Sequence, residues 1–294
     1  MTSEALDRRA VRRAFDRAAE GYGEFAVLQR EIETRLLERV DYFDLRPERI
    51  LDLGCGPGTG SLALARRFPD ARVTALDWSL PMLRAFGPGQ AGHAKPGRVC
   101  ADMQALPLRG GSFDLVFSNL ALQWSSDLGG AFAGLRRVLR PGGLLLFSTF
   151  GPDTLHELRA AWQAADERPH VNRFIDLHEI GDLVVGSGLR EPVMDMEHLT
   201  LEYPDALSLM RELKAIGAHN AAQGRARALT GKARLRAVLD AYESYRRDGR
   251  YPATYEVVYG AAFGPEEGQP IRAGGTETAT FSPEHLAGSR RHKP

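Results

Sequence analysis

At 294 residues with 43% hydrophobic content, the chain can bury a sizeable core, and its length suits one large domain or a domain carrying an insertion. Its 38 basic and 38 acidic residues cancel, which excludes a whole-molecule charge that would draw it to nucleic acid or an anionic membrane, and neither partner is expected. Two cysteines, Cys55 and Cys100, exclude a disulfide framework; with no Cys/His ligand cluster, the expectation is no metal and a reducing, cytoplasmic setting.

Residues 1–45 read as an N-terminal helical segment. Its start is rich in arginine, but Glu4, Asp7, Asp16 and Glu20 interrupt the charge, so an amphipathic helix fits better than a transit peptide. From Arg49, short apolar runs alternate with helical patterns: strands are expected at 49–53, 72–77, 98–101, 113–118 and 144–150. Pro141-Gly142-Gly143 reads as a helix stop and turn feeding the fifth strand. Strand and helix in alternation predict an α/β fold with a doubly wound, mostly parallel, Rossmann-like sheet. Beyond Phe150 helical stretches dominate, at 153–166, 177–185, 204–216 and 232–247, and predict a helical cap over about 152–250. Two late strands, 192–203 and 253–263, are expected to complete the sheet at its far edge, so that one domain spans 46–263. Residues 264–294, poor in apolar side chains, are expected to be a disordered tail.

The chemistry concentrates after the first strand, in Asp52-Leu53-Gly54-Cys55-Gly56-Pro57-Gly58-Thr59-Gly60. Alternate glycines let backbone approach a ligand closely, while the spacing departs from the dinucleotide pattern G-x-G-x-x-G, because Thr59 or Ser61 stands where its third glycine would fall. A pyrophosphate is therefore not the expected ligand. Asp77 ends the second strand, beside the glycine turn at the switch point, where a carboxylate can accept hydrogen bonds from both hydroxyls of a ribose. Trp78 is placed to pack on an adenine or in the core, and Asp102-Met103 after the third strand to meet its amine and ring edge. The fourth strand leads into Ser118-Asn119-Leu120-Ala121-Leu122-Gln123-Trp124, the loop expected to face the reacting group.

Over residues 49–150 these motifs resemble the class I methyltransferases, which implies S-adenosylmethionine bound across Asp52, Gly54, Gly56, Gly58, Asp77, Trp78, Asp102 and Met103, with Asn119 near the reacting end. The flanking segments carry a narrower resemblance: Arg13-Ala14-Phe15-Asp16-Arg17-Ala18-Ala19-Glu20-Gly21-Tyr22, Val27-Leu28-Gln29-Arg30, Asp166-Glu167-Arg168-Pro169-His170-Val171-Asn172-Arg173-Phe174, the stretch from Leu209 to Ala218, Gly224-Arg225 and Tyr251-Pro252-Ala253-Thr254-Tyr255. This set is similar to the malonyl-acyl carrier protein O-methyltransferases of biotin synthesis, up to about Phe263. The resemblance implies methyl transfer to the free carboxylate of a malonyl thioester on acyl carrier protein or coenzyme A. Within it Tyr22 closes over the methyl, and Arg173, Lys214 and Arg225 are candidates to orient the carboxylate or grip the carrier's phosphate. Between Arg211 and Arg250 ten basic residues stand against four acidic ones, an excess that could dock an acidic carrier. Two other readings share the layout: an arginine-hydroxylating assembly factor of respiratory complex I, and a non-catalytic S-adenosylmethionine-binding scaffold.

Overall fold

The computed structural model describes residues 6–86, 95–166, 168–221, 230–266, 271–273 and 276–278. A seven-stranded sheet runs in the order β3-β2-β1-β4-β5-β7-β6. Its strands are β1 (Arg49–Leu53), β2 (Arg72–Asp77), β3 (Gly97–Cys100), β4 (Phe113–Ser118), β5 (Leu139–Phe150), β6 (Arg190–Tyr203) and β7 (Tyr251–Phe263). The first five pair in parallel, whereas β7 lies antiparallel between β5 and β6. The predicted doubly wound sheet and its two late strands are thus present, and the winding reverses between β1 and β4.

Strand side chains alternate between two apolar layers, as a pleat with both faces covered requires. Ile50, Leu115, Phe117, Leu144 and Leu146 face one layer with α3 (Val27–Arg39), α7 (His156–Gln163), α9 (Ala206–Ala215) and α10 (Lys232–Tyr242). Leu51, Val116, Leu145 and Phe147 face the other, filled by Phe132 and Leu135 of α6 (Leu128–Val138) and Ile180 and Val184 of α8 (Leu177–Gly186). The stretch 152–250 is therefore divided between the layers: α7, α9 and α10 share one side, α8 packs on the other, and β6 joins the sheet. Aspartates start several of these helices, with Asp127 accepting from Gly130 N at 2.9 Å, Asp176 from Glu179 N at 2.9 Å and Asp205 from Ser208 N at 2.8 Å.

Pro141-Gly142-Gly143 does not form the expected turn. β5 already begins at Leu139, which pairs with Phe113, and the run sits within the strand as an irregularity where the register shifts and Gly142 adopts φ +68°. The remaining short helices are α1 (Arg8–Ala18), α2 (Tyr22–Phe25), α4 (Thr59–Arg67) and α5 (Leu80–Arg84). Within 264–294, the expected tail, the described residues include a small antiparallel pair, β8 (Ile271–Ala273) with β9 (Thr276–Thr278); the other calls on that stretch lie outside the described residues. No helix among the described residues is long and apolar enough to cross a membrane.

Candidate functional site

The carboxyl ends of β1, β2 and β4 open onto a cleft at the switch point, where open α/β sheets hold their ligands. The glycine run folds back on β2: Gly54 N and Cys55 N both donate to Leu76 O, at 2.7 and 3.1 Å. The three glycines have different reasons to be there. Gly54, at φ +71°, packs against Ala121, whose Cβ would collide with any added side chain. Gly56, at φ +52°, faces open space within the cleft. Gly58, at φ +84°, is not among the residues lining the cleft and lies under the Phe86 ring at the start of α4, where it shapes the loop.

Asp77 is 8% exposed and anchors two backbone amides, accepting from Gly56 N at 3.0 Å and Ser79 N at 2.7 Å. Around the glycine loop it has company. Asp52, 3% exposed, accepts from Ser61 Oγ at 2.5 Å, and Glu33 of α3 accepts from Thr59 Oγ1 at 3.0 Å. Burial pushes Glu33 and Asp52 up to about 7 and Asp77 up to about 6, despite the opposing hydrogen bonds from Thr59, Ser61, Ser79 and Gly56. Mutual repulsion adds to the rise at Asp52, which senses both other carboxylates. Among the described residues no cation forms an ion pair with any of the three; Arg30 eases Glu33 from a distance while donating to Gly23 O. A concentration of acid without a counter-charge is electrostatically suited to a positively charged ligand.

The other half of the cleft is apolar, with Phe15, Trp78, Met82, Met103, Ala121 and Trp124 on its walls and about 570 Å³ of empty space including its open mouth. Tyr22 and Asn119 stand between the two halves and line both. Burial, then the charges of Asp77 and Glu33, push the Tyr22 phenol far above its ordinary value, so it stays protonated. Asn119 donates to Gln29 O at 3.0 Å and accepts from Ser148 Oγ at 2.7 Å, which ties the end of β4 to α3. Asp102 is not among the residues lining the cleft: its carboxylate accepts from Gln104 N and pairs with Arg8 of α1.

A second chamber adjoins the first. Trp124 lines both the apolar half-cleft and this chamber, and Gln29 lines both the acidic half and the chamber. The chamber walls come from α3, β5, α7, β7 and the segments around 170–174 and 213–220, among them Phe150, Leu158, Val171, Phe174, Ile216 and Tyr255. Its polar edges include Thr154, Asn172, Asn220, the Gln29 Oε1, which is buried without a partner, and His170, stacked on Trp162 at 3.8 Å and 3.2 Å from an Asp166 oxygen. Arg173 is exposed and lines neither compartment, and Lys214 is likewise exposed outside the chamber. Arg225 lies outside the described residues.

Sequence reading did not single out Glu33, Phe15 and His170 as cleft or chamber residues, whereas Trp124 lies in the loop it expected to face the reacting group. The signal for Glu33 was available: Tyr22, Ala26, Gln29 and Glu33 recur at helical spacing and form the stripe that faces the cleft. Asp153, His198 and Glu256 also come together with ligand atoms within 4.8 Å, at the β6–β7 edge, although Glu256 already accepts from Asp153 N at 2.7 Å.

The family described as a methyltransferase domain matches residues 51–147. A malonyl-acyl-carrier-protein O-methyltransferase of Gallionella capsiferriformans is 51% identical over 271 residues, covering 90% of this chain and 93% of that one. One of the same description from Methylovorus is 49% identical over 274 residues, with 90% and 93% covered. Among solved structures, the YcgJ protein of Bacillus subtilis superposes with a TM-score of 0.56 at 16% identity, covering 79% of this chain and 98% of that one, a likeness of fold alone.

Proposed function

The chain belongs to the malonyl-acyl-carrier-protein O-methyltransferase family, and from that premise we propose which of its residues carry methyl transfer from S-adenosylmethionine to the free carboxylate of a malonyl thioester. One observation supports this division of labour above the others: an acid-lined cleft, with Tyr22 and Asn119 between its halves, adjoins a mostly apolar chamber through Gln29 and Trp124. S-adenosylmethionine, when bound, supplies an electrophilic methyl on a positively charged sulfur, and its ammonium adds a second cation. The uncompensated Glu33, Asp52 and Asp77 fit such a molecule, and the open space over Gly56 leaves room for it.

In this reading Asp77 receives the ribose hydroxyls, Trp78 and Met103 flank the adenine, and Asp52 with Glu33 faces the ammonium end. Gly54 and Gly58 keep the loop's shape. Asn119 sits by the reacting group, and Tyr22 closes over it as a neutral hydroxyl.

A carboxylate has a pKa near ~4 and is ionised at neutral pH, so the acceptor needs no general base. Its oxygen lone pair forms the new bond to carbon while the carbon–sulfur pair returns to sulfur, and no proton moves. What remains for the protein is alignment and exclusion of water, which Phe15, Tyr22 and Trp124 serve from the N-terminal side and the β4 loop. The T-shaped contact of Phe15 with Trp124, centroids 5.2 Å apart, holds that wall together. The apolar chamber suits an acyl thioester better than a free, highly solvated acid, and methylation removes a charge whose burial in later steps would cost several kcal/mol.

Incubation with S-adenosylmethionine labelled in the methyl group, and with malonyl-carrier protein or malonyl-coenzyme A, tests the proposal. Label should appear in an alkali-labile ester of the carrier-bound thioester. A protein that binds the donor tightly yet leaves every malonyl thioester unlabelled would instead be a scaffold.

A further inference from the structure

Next to the chamber lies a third cavity, about 640 Å³ with its open mouth. Asn220 lines both, so the two are neighbours. One wall is α1, which presents Arg13 and Arg17; the other is the loop after α9, which presents His219 and Asn220. The walls are fastened together: Asp7 N donates to Ala221 O at 2.8 Å, and Gly217, at φ +77°, lets the loop pack on the Ala14 backbone. Lys214, one turn before the loop, stands close enough that it and Arg17 both help burial to hold the His219 ring below its ordinary value.

Neighbouring carboxylates are committed elsewhere. Asp7 caps α1 by accepting from Ala10 N, Asp16 accepts from Ser79 Oγ at 2.7 Å, and Glu212 accepts from Tyr203 Oη at 2.8 Å. Among the described residues no acid pairs with Arg13, Arg17 or Lys214. Arg13 and Arg17 are also one helical turn apart, so the two like charges sit side by side on one face of α1. Cations gathered around a cavity without counter-charge call for an anion.

We propose that this cavity binds the phosphate of the carrier's 4′-phosphopantetheine arm, with Arg13 and Arg17 as its cationic ligands, Lys214 at the rim and His219 as a donor from the loop. The inference rests on the acyl-carrier reading above and extends it. A thioester-bearing arm ends in a malonyl carboxylate, continues as a largely uncharged chain and terminates in a phosphodiester. The apolar chamber adjoins the donor cleft through Gln29 and Trp124 and the basic cavity through Asn220, so an arm lying in the chamber has the methyl donor at one neighbour and the cations at the other. The sequence resemblance had pointed to Arg173, Lys214 and Arg225 for this task; the fold points to α1.

The test is equilibrium binding to the full chain with S-adenosylhomocysteine saturating the donor site, so that no turnover occurs. Malonyl-phosphopantetheine should bind roughly tenfold or more tightly than malonyl-pantetheine, which lacks only the phosphate. In the Arg13→Gln/Arg17→Gln variant that preference should fall to about threefold or less. Equal affinities in the wild type, or a preference that survives in the variant, would overturn the site. A comparable loss in Arg49→Gln/Arg72→Gln, which removes the same charge at the opposite ends of the strands, would overturn it in favour of a general field. Tighter binding of malonyl-coenzyme A than of malonyl-phosphopantetheine would reassign the cavity to a nucleotide. Absence of methylation on malonyl-carrier protein, with the phosphate preference intact, would sink the enzymatic reading and leave the anion site standing.

Discussion

The donor cleft and the acceptor chamber are built on opposite plans. Much of the cleft is lined by residues at or just after strand ends, Gly54 and Gly56 after β1, Asp77 and Trp78 at the end of β2, Met103 after β3 and Asn119 after β4, with Phe15, Tyr22 and Glu33 added from the N-terminal helices. The chamber draws its walls from helix, strand and loop segments spread from Gln29 to Tyr255. One site is specified by contiguous motifs and a strand order, the other by which distant helices pack together. Strong, charge-bearing interactions belong to the first; shape and desolvation belong to the second.

If that contrast holds, the largest effect should come from the glycine loop. Gly54→Ala places a Cβ against Ala121 at a left-handed backbone, which should cost about 2–4 kcal/mol of stability in urea unfolding and abolish measurable binding of S-adenosylhomocysteine. A variant with wild-type stability would mean that the loop tolerates rearrangement and that its glycine is not there for packing.

Asp77→Asn should come next, weakening S-adenosylhomocysteine roughly tenfold or more by calorimetry while an amide oxygen of the same size still accepts from Gly56 N or Ser79 N. Unchanged affinity would remove the ribose from this position.

A smaller effect should follow pH. Glu33 and Asp52, raised to about 7, and Asp77, raised to about 6, are partly protonated near neutrality in the free protein. A cationic donor binds their ionised forms, so its affinity should rise several-fold between about pH 6 and about pH 8, with protons released on binding. Calorimetry in buffers of different ionisation enthalpy measures both quantities. The accompanying stability term has a fixed sign. These acids hold protons in the folded state above the range where the unfolded chain has lost them, so their contribution to stability is full below about pH 4 and is lost as pH climbs to about 7. Pairing with the donor should reduce that loss, and a donor-induced rise in Tm that shrinks with increasing pH would contradict the acid-cluster account.

Arg173→Ala should have the smallest effect, less than about twofold in KM for the malonyl thioester, because the side chain is exposed and lines neither compartment. A large rise in KM would show that the chamber closes around substrate by recruiting this arginine, and the two compartments would then differ less than they do at rest.

From the sequence alone the α/β class, the five parallel strands, the two late strands, the glycine turn and Asp77 at the switch point were all legible, because each is set by short-range pattern: apolar runs, turn residues and a carboxylate at a strand end. Even there, local pattern misplaced one break. Pro141-Gly142-Gly143 looked like a turn, and pairing of Leu139 with Phe113 drew it into β5. Tertiary structure decided what lies far apart in the chain. It paired Asp102 with Arg8, brought Glu33 beside Asp52, left Arg173 in solvent and set Arg13 and Arg17 of α1 against His219. Local sequence fixes the backbone course of a loop or strand, but which face of a helix meets which neighbour depends on burying the whole apolar surface at once. The strand-end residues of the donor cleft could therefore be read from the sequence, whereas Glu33 and Phe15, brought to it by helices, and the acceptor side could not.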